Sequence, residues 1–424
     1  MVRLKNILSE VTKERAAEEY LSMLVKGTEW EDHVFIAGGY VRDQLLGKDA
    51  KDIDLVVALP EGGVKFAEWA TRKIGNHSAG NPTIFPKFGT AKFTLRGVTH
   101  LGIDLSEIDV EAVMTRSEKY TPGSRKPDIA FGDLKVDVER RDATVNSLLK
   151  KLSTGEILDL TGRGRDDLTN GVLRTPLDPD VTFQDDPLRI LRMIRMSAKY
   201  NWKIPIDILR SIRRNSAKLG EISRERVQAE VDKMLMTGHA GKALRLIKIL
   251  KLAPYVFPSI DAVTDECLID VDRRPVDLPL RLAAVFYSLP RAGEVAEKEL
   301  RNTKYDTATI QMVKTILDNY RGVSDGINDP MQFRTLVSSI GENKATQVVR
   351  FLAGDAKNEA SAMLQQQIQL MRANPLPVTG QDLISLGMKS GPALGAALKA
   401  IKGEYIKDPK TPTERYLSIA KQFI

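Results

Sequence analysis

The stretch that decides the fold is IAGGYVRDQLLGKDAKDIDLVV, residues 36–57. An apolar, strand-like run enters Gly38-Gly39, and a helical pattern from Tyr40 to Leu46 begins at once. Paired glycines let backbone N–H groups approach a ligand closely, and a helix N-terminus adds positive potential, so the junction suits a phosphate group. DIDLVV then returns as a strand. Side chains alternate along a strand, which sets Asp52 and Asp54 on one face and turns Ile53 and Leu55 to the core. Hard carboxylate oxygens beside a phosphate cradle make a magnesium site, because Mg2+ takes substrate phosphates as the rest of its shell. A lone DxD is common on an exposed strand face. Coupling to the glycine–helix junction is what gives this one chemical meaning.

Working outward, IDVEAVM offers a third carboxylate. Asp109 and Glu111 are two residues apart, and spacing leaves the choice between them open. Either would complete a two-metal site, with ions ~3.5–4 Å apart clamping the attacking and leaving oxygens. Residues 4–26 read as a leading helix. The runs VFIAGG, DIDLVVAL, KFGTAKFTL, IDVEAVM, DIAFG and LKVDVE read as strands, and VKFAEWATRKI reads as a helix between them. After about residue 165 strand patterns nearly vanish and helices dominate. The expected fold is therefore an α/β head, a mixed sheet with flanking helices, followed by a long all-α neck, body and tail. Breaks at TPLDPD, Pro254–Pro258, Gly322–Pro330 and NPLPVTG suggest divisions at 1–150, 151–240, 241–328 and 329–424.

Composition narrows the class. The 424 residues include 63 Lys+Arg against 56 Asp+Glu, a net charge of +7, with 42% hydrophobic residues to build cores. No apolar run approaches the ~18 residues of a membrane helix, and the charged N-terminus is unlike a signal peptide. The single Cys267 forbids an internal disulfide and suits a reducing, cytoplasmic setting. Four scattered histidines leave no histidine-based metal motif. Between Arg189 and Arg226, eight Arg and three Lys stand against Asp207, Glu221 and Glu225, a net of +8. That block reads either as a solvated helix face or as the footprint of a polyanion, nucleic acid first.

Five segments in register, GGYVRDQLLG…DIDL, VEAVMTR, VERRDATVNSLL, LDLTGRGRDDL and FQDDPLRILRMIRM, resemble the head and neck of tRNA nucleotidyltransferases (CCA-adding enzymes) and bacterial poly(A) polymerases. The resemblance is strong over about 35–235. It implies that Asp52 and Asp54 hold the metals, a two-ion Mg2+ site, and it favours Glu111 as the third carboxylate. It implies an RNA 3′-hydroxyl attacking the α-phosphate of CTP or ATP, with pyrophosphate leaving. Gly38 and Gly39 would cradle phosphate. Arg42 either touches phosphate or braces the helix through Asp43. Arg140, Arg141 and Asp142 match a motif that contacts ribose and phosphates, and Asn146, four residues after Asp142, can share its face. Arg116 opens RSEKYTPGSRKP, which resembles a loop implicated in switching from C to A addition. Asp159 and Gly162 fall in a motif read as a hinge between head and neck.

As residues alone, Asp186 before Pro187 reads as a helix cap. The resemblance instead implies that Asp186 and Arg189 read the base, with Arg192 and Arg195 further along the same helix in the nucleotide pocket. The chemistry is sound. A carboxylate only accepts hydrogen bonds and a guanidinium only donates, which matches the amino donor and ring-nitrogen acceptor of cytosine and of adenine. Uracil and guanine reverse that pattern and would leave buried polar groups unpaired, at about 1–3 kcal/mol each. The expected function is template-independent addition of CCA to tRNA 3′ ends. The expected partners are CTP, ATP and the tRNA acceptor stem, with no membrane and no obligate protein partner. A poly(A) polymerase, a CC- or A-only enzyme, and an inactive RNA-binding relative are the alternatives. Ala143, Ser147, Met196 and Asp185 depart from the usual residues of these motifs. No HD-type signature is present, so an appended phosphatase is not expected.

Overall fold

VFIA is buried at all four positions and forms β1 (Val34–Ala37) inside a seven-stranded mixed sheet. The computed structural model describes residues 11–50, 52–75, 81–86, 89–119 and 128–423. Its further strands are β2 (Ile53–Val57), β3 (Thr83–Phe85), β4 (Thr90–Thr94), β5 (Thr99–His100), β6 (Ile103–Asp104), β7 (Asp109–Met114), β8 (Arg116–Lys119), β9 (Asp128–Phe131), β10 (Leu149–Lys151) and β11 (Ile157–Leu158). The main sheet runs β11-β10-β1-β2-β7-β4-β3. Among the described residues of this sheet, β2 and β7 pair in parallel and the other pairings are antiparallel. The remaining strands form two hairpins, β5–β6 and β8–β9.

Both faces of the sheet are covered. On one, Phe35, Ala37 and Val56 pack with Val138 and Leu149. On the other lies the helix Gly62–Ile74, against β2, β4 and β7. Its Phe66 is fully buried and meets Trp30 edge-on, with ring centroids 5.4 Å apart. Gly63 permits this approach, since a Cβ there would stand 2.5 Å from the Gly89 carbonyl oxygen and 2.6 Å from that of Ala112.

Two local expectations change. LKVDVE alternates like a strand but forms the helix Leu134–Glu139. Asp133 caps it by accepting the Val136 N–H at 2.8 Å, and helical spacing brings Asp137 to Arg140 and Arg141, three and four residues on. That ion-pair demand overrides the alternation. The leading helix spans Lys13–Val25, capped by Thr12; residues 4–10 of the expected segment lie outside the described residues.

The chain divides into two compact units, 1–222 and 223–424, and the boundary falls within the expected neck. In the second unit, buried arginines tie off helix ends. Arg281 donates to the Leu235 and Thr237 carbonyls at the end of the helix Arg224–Leu235. Arg274 donates to the Phe351 carbonyl at 2.6 Å, closing the helix Glu342–Phe351. Arg334 donates to the Ile406 and Lys407 carbonyls at 2.5 and 2.7 Å and to Gln367 Oε1 at 2.6 Å, closing the helix Pro392–Lys407. The last carbonyls of a helix lack intrahelical donors, so each guanidinium fills a vacancy that the fold itself creates. Arg334→Ala should therefore cost roughly 2 kcal/mol or more. It should lower the melting midpoint of this unit by about 4–8 °C; an unchanged midpoint in calorimetry would remove the stabilising role.

Candidate active site

The site starts at Gly38, whose φ of +70° and ψ of −132° suit a residue without a Cβ. A Cβ there would stand 3.5 Å from Arg141 Nη1, so the turn and this guanidinium share one small space. The helix Gly39–Leu45 follows directly.

Asp54 on β2 and Glu111 on β7 are register partners across the parallel pair, an inter-strand spacing of about 4.8 Å. Asp52 precedes β2 and is exposed, while Ile53 and Leu55 are buried. Asp54 keeps an edge open to solvent, yet its pKa is pushed up to about 6. Burial by the surrounding chain is the main cause, Glu111 and then Asp52 add to it, and Arg141 pulls the other way. Asp109 is engaged elsewhere. It accepts from Lys92 Nζ at 2.8 Å and from Thr94 Oγ1 at 2.7 Å, and these bonds, the lysine's first, hold it below the ordinary carboxylate range. Geometry thus separates two carboxylates that spacing could not: Glu111 faces Asp54, and Asp109 faces Lys92.

Among the described residues no three His, Cys, Asp or Glu side chains converge into a finished metal cage. The donor set nonetheless fits a hard cation: crowded carboxylates, one with a raised pKa, gain from positive charge, and Mg2+ is usually held by one or two carboxylates plus substrate phosphates.

The Arg140-Arg141-Asp142 segment is organised by Asp137, which motif reading missed. Its side chain is fully buried and receives Arg140 Nη2 at 2.5 Å and Arg141 Nη2 at 3.0 Å. Burial works to raise its pKa, but the two guanidiniums, Arg141 foremost, hold it below the usual range. The residue's only sequence signal was its spacing from the arginine pair. Arg140 Nε also donates to the Arg116 carbonyl at 3.1 Å, anchoring the start of β8. Residues 120–127 of the expected switching loop lie outside the described residues.

A polar chain then crosses the head. Tyr200 Oη donates to Asp43 Oδ1 at 2.7 Å, and Arg42 donates to both Asp43 oxygens at 2.9 and 3.0 Å. Arg42 Nη1 donates to Asn146 Oδ1, Asn146 Nδ2 donates to Asp142 Oδ1 at 2.7 Å, and Arg192 Nε donates to Asp142 Oδ2 at 2.7 Å. Arg42 is only 7% exposed; of the two roles left open for it, these bonds are those of a brace. Burial opposes the charge on Asp142, but Arg192 and Asn146 keep its pKa low. Two of the departures from motif lie in the core, Ala143 and Ser147, both fully buried. A third, Met196, places its sulfur 3.2 Å from Asn146 Nδ2.

Asp186 follows the helix Pro179–Asp185, and its Oδ1 accepts the Leu188 N–H at 3.1 Å at the start of the helix Leu188–Tyr200. That is a capping bond. Arg189, buried, donates to the Thr182 carbonyl at 3.2 Å and adds positive charge beside Asp142. Arg195, half-buried, lies further along near Lys199 and Tyr200. Asp159 and Gly162 stand apart from the carboxylates. Asp159 accepts from Thr161 Oγ1 at 2.8 Å and from the Arg165 N–H at 3.0 Å, while Gly162, at φ +68°, turns the chain.

The poly(A) polymerase head domain family matches residues 34–174, the family described as the probable RNA and SrmB-binding site of polymerase A matches 201–264, and the tRNA nucleotidyltransferase domain 2 family matches 280–415. The mitochondrial CCA tRNA nucleotidyltransferase of Saccharomyces cerevisiae is 37% identical over 52% of this chain and 42% of its own length. The chain thus spans under half the length of that relative. The CCA-adding enzyme of Pediococcus pentosaceus is 26% identical over 88% of this chain and 89% of its own. A solved apo form of a CCA-adding enzyme shares the fold, with a TM-score of 0.73 at 22% identity over 99% of both chains. Through three separate domain matches, this chain resembles tRNA nucleotidyltransferases and poly(A) polymerases along most of its length.

Proposed function

We propose that the protein adds or repairs the 3′-terminal CCA of tRNA, using CTP and ATP without a nucleic-acid template. The carrying observation is the Asp54–Glu111 pair beside Gly38-Gly39, linked through Arg42, Asn146 and Asp142 to the helix that bears Arg189 and Arg192. Asp52, Asp54 and Glu111 would hold divalent cations, Mg2+ in a two-ion arrangement. When bound, such ions acidify the attacking 3′-hydroxyl and neutralise charge on the α-phosphate and the leaving pyrophosphate.

The chain's own residues supply positioning. Gly38 and the following helix N-terminus receive phosphate oxygens, and Arg141 brings positive charge to the same place. Asp142 and Asn146 set the ribose end. Asp186 and Arg189 read the base, exchanging their present bonds to Leu188 and Thr182 for the edge of C or A. Residues 1–150 serve as head, 151–240 as neck with Asp159 and Gly162 at its hinge, 241–328 as body and 329–424 as an RNA-binding tail. Among the described residues no helix is long and apolar enough to cross a membrane; we assign the cytoplasm as compartment. Poly(A) addition on the same scaffold is the second reading, favoured by the head-domain match.

The deciding assay supplies each NTP singly and mixed to tRNAs ending before C, after C and after CC. Extension that stops at CCA is expected, whereas runaway A addition on any RNA would establish the second reading. Asp52→Ala and Asp54→Ala should each lower transfer by at least roughly a thousandfold while leaving RNA binding intact; an active variant would void the metal assignment. Arg189→Ala should admit UTP and GTP more than it slows CTP and ATP, which single-nucleotide incorporation ratios measure.

Stability should carry the mark of the crowded carboxylates. Asp54 has a folded pKa of about 6, above the 3.8 expected when unfolded. The neutral form therefore favours folding below pH 4, and this contribution is lost as pH rises through 6. In chelator, Asp54→Asn should melt higher than the native chain at pH 8, with the gap closing below pH 4. An equal melting point at both pH values would contradict the raised pKa.

A further inference from the structure

We propose that Lys48 and Lys199, gathered around the ring of Tyr200, form a docking point for a backbone phosphate of the bound RNA strand; the inference rests on the reading of RNA as substrate. Three cations crowd one ring. The Arg42 guanidinium lies 4.8 Å from its centroid, Lys48 Nζ 4.8 Å and Lys199 Nζ 4.7 Å. Arg195 adds its field to both Lys199 and Tyr200. An aromatic face attracts each cation individually, but like charges gathered this closely repel one another.

The carboxylate that answers them is Asp43, which already accepts two bonds from Arg42 and one from Tyr200, with Lys199 at 3.6 Å. Burial, and then Arg42 and Arg195 against the pull of Asp43, leave the Lys199 ammonium below its ordinary pKa. A further anion would relieve that strain. Lys48 and Lys199 are both exposed and can reach one. The ring itself is fixed by stacking on Trp202, centroids 4.5 Å apart and planes 23° from parallel.

Position argues for the polymer over the incoming nucleotide. Lys48 follows the far end of the helix Gly39–Leu45, roughly 10 Å along its axis from the Gly38 turn. Lys199 is ten residues beyond Arg189 on the same helix, roughly 15 Å. A nucleotide with its phosphates at Gly38 and its base at Arg189 leaves this point uncovered, whereas an RNA strand running upstream from its 3′ end can reach it.

The test is the salt dependence of binding to a tRNA lacking CCA, for the native chain and for Lys48→Glu, Lys199→Glu and the double variant. Loss of this one phosphate contact should make the slope of log K against log salt shallower by about 1 in the double variant, and by up to that much in each single variant. The KM for RNA should rise, with the KM values for CTP and ATP and kcat at saturating RNA unchanged. An unchanged slope in the double variant overturns the proposal, as does a higher KM for CTP or ATP at constant slope, which would assign the site to the triphosphate. Lys48→Gln and Lys199→Gln repeat the test should a reversed charge impair folding. A native chain that binds no RNA defeats the functional reading as well; one that binds RNA but adds nothing defeats the assigned activity alone.

Discussion

The parallel pairing of two strands organises the head and sets two carboxylates side by side. Parallel pairing of β2 with β7 fixes Asp54 beside Glu111, and neither strand can slip without turning these groups into the core. The pair is tolerated because buried apolar residues flank it: Ile53, Leu55, Val110 and Ala112 are all buried. Apolar packing thus holds together a charge arrangement that would not assemble alone. A site kept in such tension is ready for a cation, and less work remains to be done when one arrives.

The polar chain from Tyr200 to Arg192 solves a different problem. Its members come from the helix after the glycine turn, from the segment after Arg141 and from the helix Leu188–Tyr200, and nearly every link involves a charged partner. Hydrogen bonds to charged groups are the stronger ones, and a buried network missing one member leaves the rest unsatisfied. Relative placement of these elements is therefore specified by polar geometry as much as by hydrophobic contact.

Much of this was legible in the sequence because it was local. The glycine turn, the period-two placement of Asp52 and Asp54, and the switch from strand to helical patterning all lie within short windows. What stayed hidden depended on pairing between distant segments. Nothing in IDVEAVM says that Asp109 meets Lys92, and nothing near Asp43 announces Tyr200, 157 residues away. LKVDVE misled because alternation is read one residue at a time, whereas the contacts that decide it, Asp137 with Arg140 and Arg141, form only once the segment is helical. Asp186 is the opposite case, since its observed bond is the local cap that its neighbours foretold.

The buried arginines of the second unit alter how the chain's charge should be understood. Basic residues fall into two populations that respond differently to ionic strength. Exposed ones such as Arg210 and Arg213 act through a field that dissolved salt screens within about 10 Å at 0.1 M. Arg281 and Arg334, sealed against helix-end carbonyls, are shielded from that solvent. High salt would accordingly weaken the field at the surface while leaving the scaffold beneath it intact, so loss of surface attraction and loss of structure are separable events in this molecule.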